Sequence, residues 1–256
     1  MRLAQSIVPF VKYTENPRLR GLAVLLLLIA TIPQLCLAQS TIFNIPSTDT
    51  VSKGKFYFEF DYLPQVPKAS GSDRLNIYVP RGVVGIGPNL EAGANVAFLN
   101  QGGNTHAFFQ PNVKWKFYND EKSGVAASGG GILYTPINYR DGVNTFGLLY
   151  VNISEKVKHA YGPRFTEGFY GIAGVSDDEF AGPRAGALLG YEQPIHPKVS
   201  IVADWFSGKN SFGYFTPGVS FTLPKNGLLN IGYSLGNDSY DGNHNRALFV
   251  YYGQTF

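Results

Sequence analysis

After Ala38 the chain has no cysteine, no apolar run long enough for a membrane helix, and no cluster of basic residues. Each absence excludes something. Without cysteine there are no disulfides, so this is not a small stapled domain, and a core or a membrane must stabilise it instead. Few segments repeat apolar residues at the helical period, which argues against a helical protein. Four of the 21 Lys+Arg (Arg2, Lys12, Arg18, Arg20) and one of the 18 Asp+Glu (Glu15) fall in residues 1–38. The rest carries 17 of each sign and is formally neutral. The whole-chain pI near 8.8 comes from the first 38 residues. Nucleic-acid binding therefore lacks its electrostatic footprint.

Chemistry is sparse as well. His106, His159, His196 and His244 are scattered, with His159 and His196 in turn-like segments. A Ser–His hydrolase on a sheet needs nucleophile and base on adjacent strands facing one way, and the sequence sets up no such pair. Asp177-Asp178-Glu179 and Asp238/Asp241 supply hard oxygen ligands, but not at the spacing of a dedicated calcium loop. They read as solvated loop charge. Gly85-Ile86-Gly87 has no helix after it and is a turn device, not a phosphate cradle. Asn152-Ile153-Ser154 matches a glycosylation acceptor but falls in a strand-like segment. No catalytic residue, metal site or cofactor is expected, and the chain is not expected to be an enzyme.

What is present starts at the N-terminus. Residues 1–38 read as a secretory signal: a basic region, an apolar stretch over 21–32, Pro33 as a breaker, and small residues before a cut after Ala38. The apolar stretch is shorter than the ~20 residues that span a bilayer core. Acylation at Cys36 is a rival, disfavoured by Leu35 where a small residue is expected. An uncleaved anchor is another.

Residues 55–256 divide into twelve strand-like segments: 55–62, 74–87, 90–99, 106–118, 122–134, 145–156, 164–175, 183–192, 198–207, 212–223, 228–236 and 245–256. Phe56, Phe58 and Phe60 alternate with Tyr57, Glu59 and Asp61. Val113, Trp115 and Phe117 oppose Asn112, Lys114 and Lys116, and Ile201, Ala203 and Trp205 oppose Ser200 and Asp204. In 164–175 neither parity is cleanly apolar. Pro80 and Pro111 each forfeit a ladder donor and read as bulges or strand ends. Connections alternate between compact turns such as Pro224-Lys225-Asn226-Gly227 and longer polar loops at 63–73, 100–105, 136–144, 176–182 and 237–244. Only 208–211 is short on the longer side. This asymmetry, with an even strand count, is expected of an outer-membrane barrel.

In lipid every backbone amide must be paired, so such strands must close. The expected fold is therefore all-β, an antiparallel up-and-down transmembrane barrel, with 245–256 lying antiparallel to 55–62. The apolar set would face acyl chains. The polar set would face the lumen, giving Glu59, Asp61, Glu91, Lys114, Lys116, Arg184, Glu192 and Asp204 as candidate lumen residues. Tyr62, Tyr118, Tyr134, Trp205, Tyr252 and Phe256 would form aromatic girdles at the headgroup level. Residues 39–54 would hang in the periplasm or fold into the lumen.

The chain resembles the Gram-negative outer-membrane β-barrel class, and within it the small transporters that include phenol-degradation-pathway barrels. The residues that carry the likeness are the leader ending Cys36-Leu37-Ala38, the terminal Tyr252-Gly253-Gln254-Thr255-Phe256, and the hairpin Gly85-Ile86-Gly87-Pro88-Asn89-Leu90-Glu91-Ala92-Gly93-Ala94. The resemblance implies a bacterial outer-membrane location, and Tyr252 and Phe256 as the signal read by the barrel-assembly machinery. Gln254 departs from that pattern. A passive channel or transporter for small solutes is the expected function. The alternatives are a non-conducting structural or binding barrel with interacting outer loops, a barrel enzyme, and a soluble secreted β protein. Nothing in the sequence sets the solute or the oligomeric state.

Overall fold

The structure, a computed structural model, describes residues 41–69, 71–138, 144–175, 180–238 and 245–256. The leader, Asp177, Asp178, Glu179, Asp241 and His244 lie outside the described residues.

Two-residue alternation produces strands wherever one parity is apolar. There are twelve: β1 (Phe56–Pro64), β2 (Asn76–Gly87), β3 (Leu90–Gln101), β4 (Asn104–Asp120), β5 (Val125–Pro136), β6 (Phe146–Lys156), β7 (Arg164–Ala173), β8 (Ala185–His196), β9 (Val199–Phe206), β10 (Tyr214–Leu223), β11 (Gly227–Gly236) and β12 (Arg246–Thr255). Each pairs antiparallel with its sequence neighbours, and β12 returns to β1, so the sheet closes into a barrel. At the closure Phe58 faces Gln254 and Phe60 faces Tyr252. Phe56 and Phe256 exchange backbone bonds at the rim, at 3.4 and 2.8 Å. The expected adjacency of the first and last segments is present.

The outward parity is apolar around the wall: Phe56, Phe58 and Phe60 on β1, Val113, Trp115 and Phe117 on β4, Leu149, Val151 and Ile153 on β6. Phe169 on β7 is 69% exposed. Soluble monomers rarely show apolar patches beyond a few hundred Å². A continuous apolar band on a closed barrel is the surface of a protein immersed in lipid.

Several local expectations are corrected. The loop expected over 100–105 is a two-residue turn, because Gly102 and Gly103 both take positive φ (60° and 83°) and let β3 run directly into β4. The short loop expected over 208–211 is longer, running over 207–213 between Phe206 of β9 and Tyr214 of β10. Pro80 and Pro111 lie within the bodies of β2 and β4. The register shifts fall instead at Gly85/Gly87, Lys116/Tyr118 and Pro194/His196. All three lie near the short-turn rim, where bulges end or re-aim pairing. Tyr134 is not in a girdle: it stacks on Phe146 at 4.7 Å and lines the interior near the long-loop mouth.

Val151 lies midway along β6 on the outward parity. Val151→Arg should lower folding stability in lipid by about 2–4 kcal/mol, read by urea unfolding in vesicles. A cost near zero would mean that this face does not meet acyl chains.

Candidate functional site

A barrel of about eight strands is filled by its own side chains, and one of 16–18 leaves a channel. Twelve strands lie between these limits, and here residues 41–51 fill the gap. Ile42, Phe43, Ile45, Ser47, Thr48 and Val51 are all essentially buried inside the wall. Thr41 bridges Pro46, and the Ile42 N–H bonds to the Ile45 carbonyl at 3.0 Å, so the segment folds into a tight tip.

Asp204 seats this tip. One of its oxygens, Oδ2, accepts the consecutive backbone N–H groups of Phe43, Asn44 and Ile45 at 2.9, 2.6 and 2.9 Å. Asn44 Nδ2 donates to Asp204 Oδ1 at 3.3 Å and to Thr216 Oγ1 at 2.7 Å. Three donors on one carboxylate oxygen form an anion-binding concavity turned inward on the protein itself. Tyr251 donates to the Ile42 carbonyl at 2.9 Å, and Asn230 Nδ2 reaches the same oxygen at 3.1 Å.

The tip fits because three inward wall positions are glycine. A Cβ at Gly190 would lie 2.5 Å from Ile42 Cδ1, and Cβ atoms at Gly218 and Gly232 would lie 2.5 and 2.6 Å from Phe43 Cζ. The Phe43 ring packs against Phe249 and Tyr251, with centroids 5.3 and 6.1 Å apart.

Lower in the lumen the contacts turn ionic. Asn152 Nδ2 donates to the Pro46 carbonyl at 2.6 Å, and the Thr48 and Ser154 hydroxyls are 2.5 Å apart. Arg164 donates to Asp49 and to Glu192, both at 2.5 Å. Glu91 accepts the Val51 N–H at 2.6 Å and pairs with Lys114 at 3.0 Å. Burial alone would raise the Asp49 pKa, but Arg164, with Lys116 and Lys114 farther off, outweighs it and holds the carboxyl below its ordinary value.

The residues singled out in the sequence divide by location. Glu59, Asp61, Glu91, Lys114 and Asp204 are buried inward, and Glu192 joins them through Arg164. Lys116 has the inward parity near the short-turn rim. Arg184 precedes β8 instead of lying in it, and its carbonyl accepts the Ile172 N–H. Tyr252 and Phe256 are exposed on the outward face. Asn152 is buried and engaged, so it is no glycosylation acceptor. His106, His159 and His196 sit on β4, in the β6–β7 turn and at the end of β8. Among the described residues no group of His, Cys, Asp or Glu could hold a metal ion.

Sequence reasoning missed Arg81, Arg164 and Asp49. Arg81 reaches Glu59 at 3.0 Å and Asp61 at 3.5 Å, and donates to Thr41 Oγ1 at 3.1 Å. On β2 both parities are largely apolar, which hid Arg81. Strand order could have found it, since the β1–β2 register sets it opposite Glu59.

Above the tip, toward the long loops, a cavity of about 280 Å³ remains. Phe43, Asn44, Asp61 and Arg81 line it, together with Leu63, Ile77, Val79, Ile132, Tyr134 and Phe212. Asp61, Arg81, Glu91 and Lys114 place charge low in the cavity and Arg246 places it at the long-loop end, with carbon and aromatic surface making up much of the remaining wall.

Among solved structures the chain is similar to the COG4313 outer membrane channel from Pseudomonas putida F1. The TM-score is 0.51 at 12% identity, covering 82% of this chain and 98% of that one. The fold is that of an outer-membrane β-barrel. No family model and no curated protein matches the sequence.

Two outcomes follow for this barrel. Asp204→Ala strands the buried N–H groups of Phe43 and Ile45 and the half-buried one of Asn44, and a buried unsatisfied donor costs roughly 1–3 kcal/mol. Amide exchange at Phe43, Asn44 and Ile45 should then rise sharply while exchange in β9 stays slow; unchanged exchange at the tip would rule out the seat. For Asp49, a lowered pKa means that its contribution is complete above the ordinary carboxylate value of 3.8 and is lost as pH falls through the lowered one. In an Asp204→Asn background, which removes the other carboxylate that seats the plug, a spin label beside Asp49 should keep constant mobility from neutral pH to about pH 5 and loosen only below about pH 4. Asp49→Asn should already be loose at neutral pH, and a transition nearer neutrality would contradict the assignment.

Proposed function

We propose that this barrel is a passive channel or transporter for small solutes in the bacterial outer membrane, with residues 41–51 closing the lumen at rest. The observation that carries the reading is the chemistry of the plug's seat. Its anchors are hydrogen bonds and ion pairs on polar lumen groups: Asp204 under the tip, Asn152 and Ser154 midway, Arg164 and Glu91 at the base. Such bonds exchange with water at a net cost of about 1 kcal/mol each, so a segment held this way can leave and return. The fold shared with an outer membrane channel supports the same reading.

In this account the solute reaches the cavity between the long loops, and passage requires displacement of the tip. Charges of both signs line the path, so strong ion selectivity is not expected. Catalysis has no role here. Tyr252 and Phe256, both on the outward face and four residues apart along the chain, are the proposed contact for the barrel-assembly machinery. The depth of plug burial favours one rival, a non-conducting binding barrel whose plug never leaves.

Planar-bilayer recording separates the two. Full-length protein should show small, intermittent currents. Removal of residues 41–51 from the mature chain should raise the conductance several-fold. If the shortened barrel folds, as judged by heat-modifiable migration in gels, and still passes no current, the channel reading fails.

A further inference from the structure

The base of the cavity has an electrostatic imbalance that the plug does not correct. Glu59 and Asp61 are both inward on β1, two residues apart, and Arg81 on β2 is the cation that meets them. Arg81 commits its closer contact to Glu59 at 3.0 Å and spends a further bond on Thr41 of the plug. Glu59 also accepts the Tyr57 hydroxyl. Arg81 reaches Asp61 Oδ2 only at 3.5 Å, and the Glu59 carboxyl is the other close polar neighbour of Asp61. Its other oxygen, Oδ1, is buried with no hydrogen-bond partner, and the residue is 3% exposed. Asp61 lines the cavity and Glu59 does not.

Two further cations line this space, Lys114 and Arg246. Lys114 is matched by Glu91 at 3.0 Å. Arg246, whose Nε has no hydrogen-bond partner, lines the upper end of the cavity as the first residue of β12, five positions along that strand from Tyr251, the residue opposite Asp61. In extended chain that separation is about 17 Å. The trio at the base therefore holds two carboxylates against one guanidinium. A buried carboxylate oxygen without a donor is costly and calls for one.

The walls supply the rest of a recognition surface. Tyr134 and Phe146 stack at 4.7 Å with planes 4° apart, and Phe212 meets the Tyr134 ring edge-on at 5.3 Å. Tyr134, Tyr150, Phe212 and Phe249 line the same cavity as Asp61. Aromatic faces attract cations as well as apolar groups. Its volume of about 280 Å³ suits a small molecule of roughly ten heavy atoms.

We propose that this cavity is a binding site for small amphipathic organic cations, whose ammonium group donates to Asp61 Oδ1 while the carbon part lies against the aromatic wall. The proposal rests on the reading of the lumen as a solute path. It would give the barrel a preference for primary alkyl- or arylammonium solutes over alcohols or carboxylates of the same shape. Because Arg81 holds both Asp61 and Thr41, an arriving ammonium would compete for Asp61 and shift Arg81 against the plug tip.

Equilibrium dialysis tests the site without requiring conduction. Full-length mature barrel in lipid nanodiscs would be dialysed against 2-phenylethylammonium, 2-phenylethanol and phenylacetate, with empty nanodiscs as the blank. The ammonium probe should bind about tenfold or more tighter than the other two, worth about 1.4 kcal/mol. Asp61→Asn should abolish that preference while leaving weak binding of the alcohol. Equal binding of the three probes by the unaltered barrel, or tighter binding of the carboxylate, overturns the proposal whether or not the variant folds. Ammonium preference without any bilayer current would keep the site and remove the channel, so the two failures are distinguishable.

Discussion

A backbone that crosses lipid must satisfy all its polar groups without water, and for strands the only solution is closure. The β1–β12 ladder therefore conditions everything else in this molecule. It fixes which parity faces outward, so that Phe56, Phe58 and Phe60 meet lipid while Tyr57, Glu59 and Asp61 face in. It also fixes the strand number, and with it the width of the lumen. At twelve strands the wall's own side chains do not meet across the middle. Residues 41–51 supply the missing interior, and the largest buried apolar cluster is made of wall residues packed on Ile42, Phe43 and Ile45.

This interior differs from an ordinary hydrophobic core. Its apolar part depends on three glycines that make room for a foreign backbone. Its polar part depends on charges placed to receive that backbone. Asp204 is a buried carboxylate, and isolated buried charge is prohibitive. The three N–H groups it accepts resolve that cost, and they belong to the plug. Glu91 divides its oxygens in the same way between Lys114 and the Val51 N–H. Arg164 divides its donors between the wall at Glu192 and the plug at Asp49. Wall and plug are thus electrostatically incomplete without each other. Water is the one alternative partner each has, which makes the assembly reversible in principle.

The fold was legible because alternation is a local signal. Strand identity and outward faces followed from residues a few positions apart, and the pairing of the two end strands followed from the need of such a sheet to close in lipid. Where local signals conflicted, the reading faltered. Gly102-Gly103 looked like part of a long loop because glycine marks loops and turns alike, and only the paired positive φ values distinguish them. Pro80 and Pro111 read as bulges or strand ends, but each lies inside a strand that continues past it in unbroken register. Tyr134 looked like a girdle residue because ring position along a strand is readable and its facing depends on register. Lumen charges on strands with a clean parity, such as Asp204 and Glu91, could be named. Arg81 and Arg164 lie on strands with mixed parity and could not. The plug itself was readable only as a choice between two places, since Ile42, Phe43 and Ile45 are apolar without a period. Glycines at inward positions of β8, β10 and β11 were the available clue, but three separate strands must be aligned before they converge on one ring.

The central claim is that residues 41–51 close the lumen and that passage needs their displacement. Thr48 and Ser154 bring their hydroxyls within 2.5 Å across the plug–wall boundary, so Thr48→Cys with Ser154→Cys in a chain of residues 39–256, which has no other cysteine, would tether the plug reversibly. Single-channel recording of that variant before and after reduction is the most direct measurement. The account predicts that openings vanish in the oxidised barrel and return with reductant. Openings of the same size and frequency in both states would show that solute passes with the plug in place, and would contradict it.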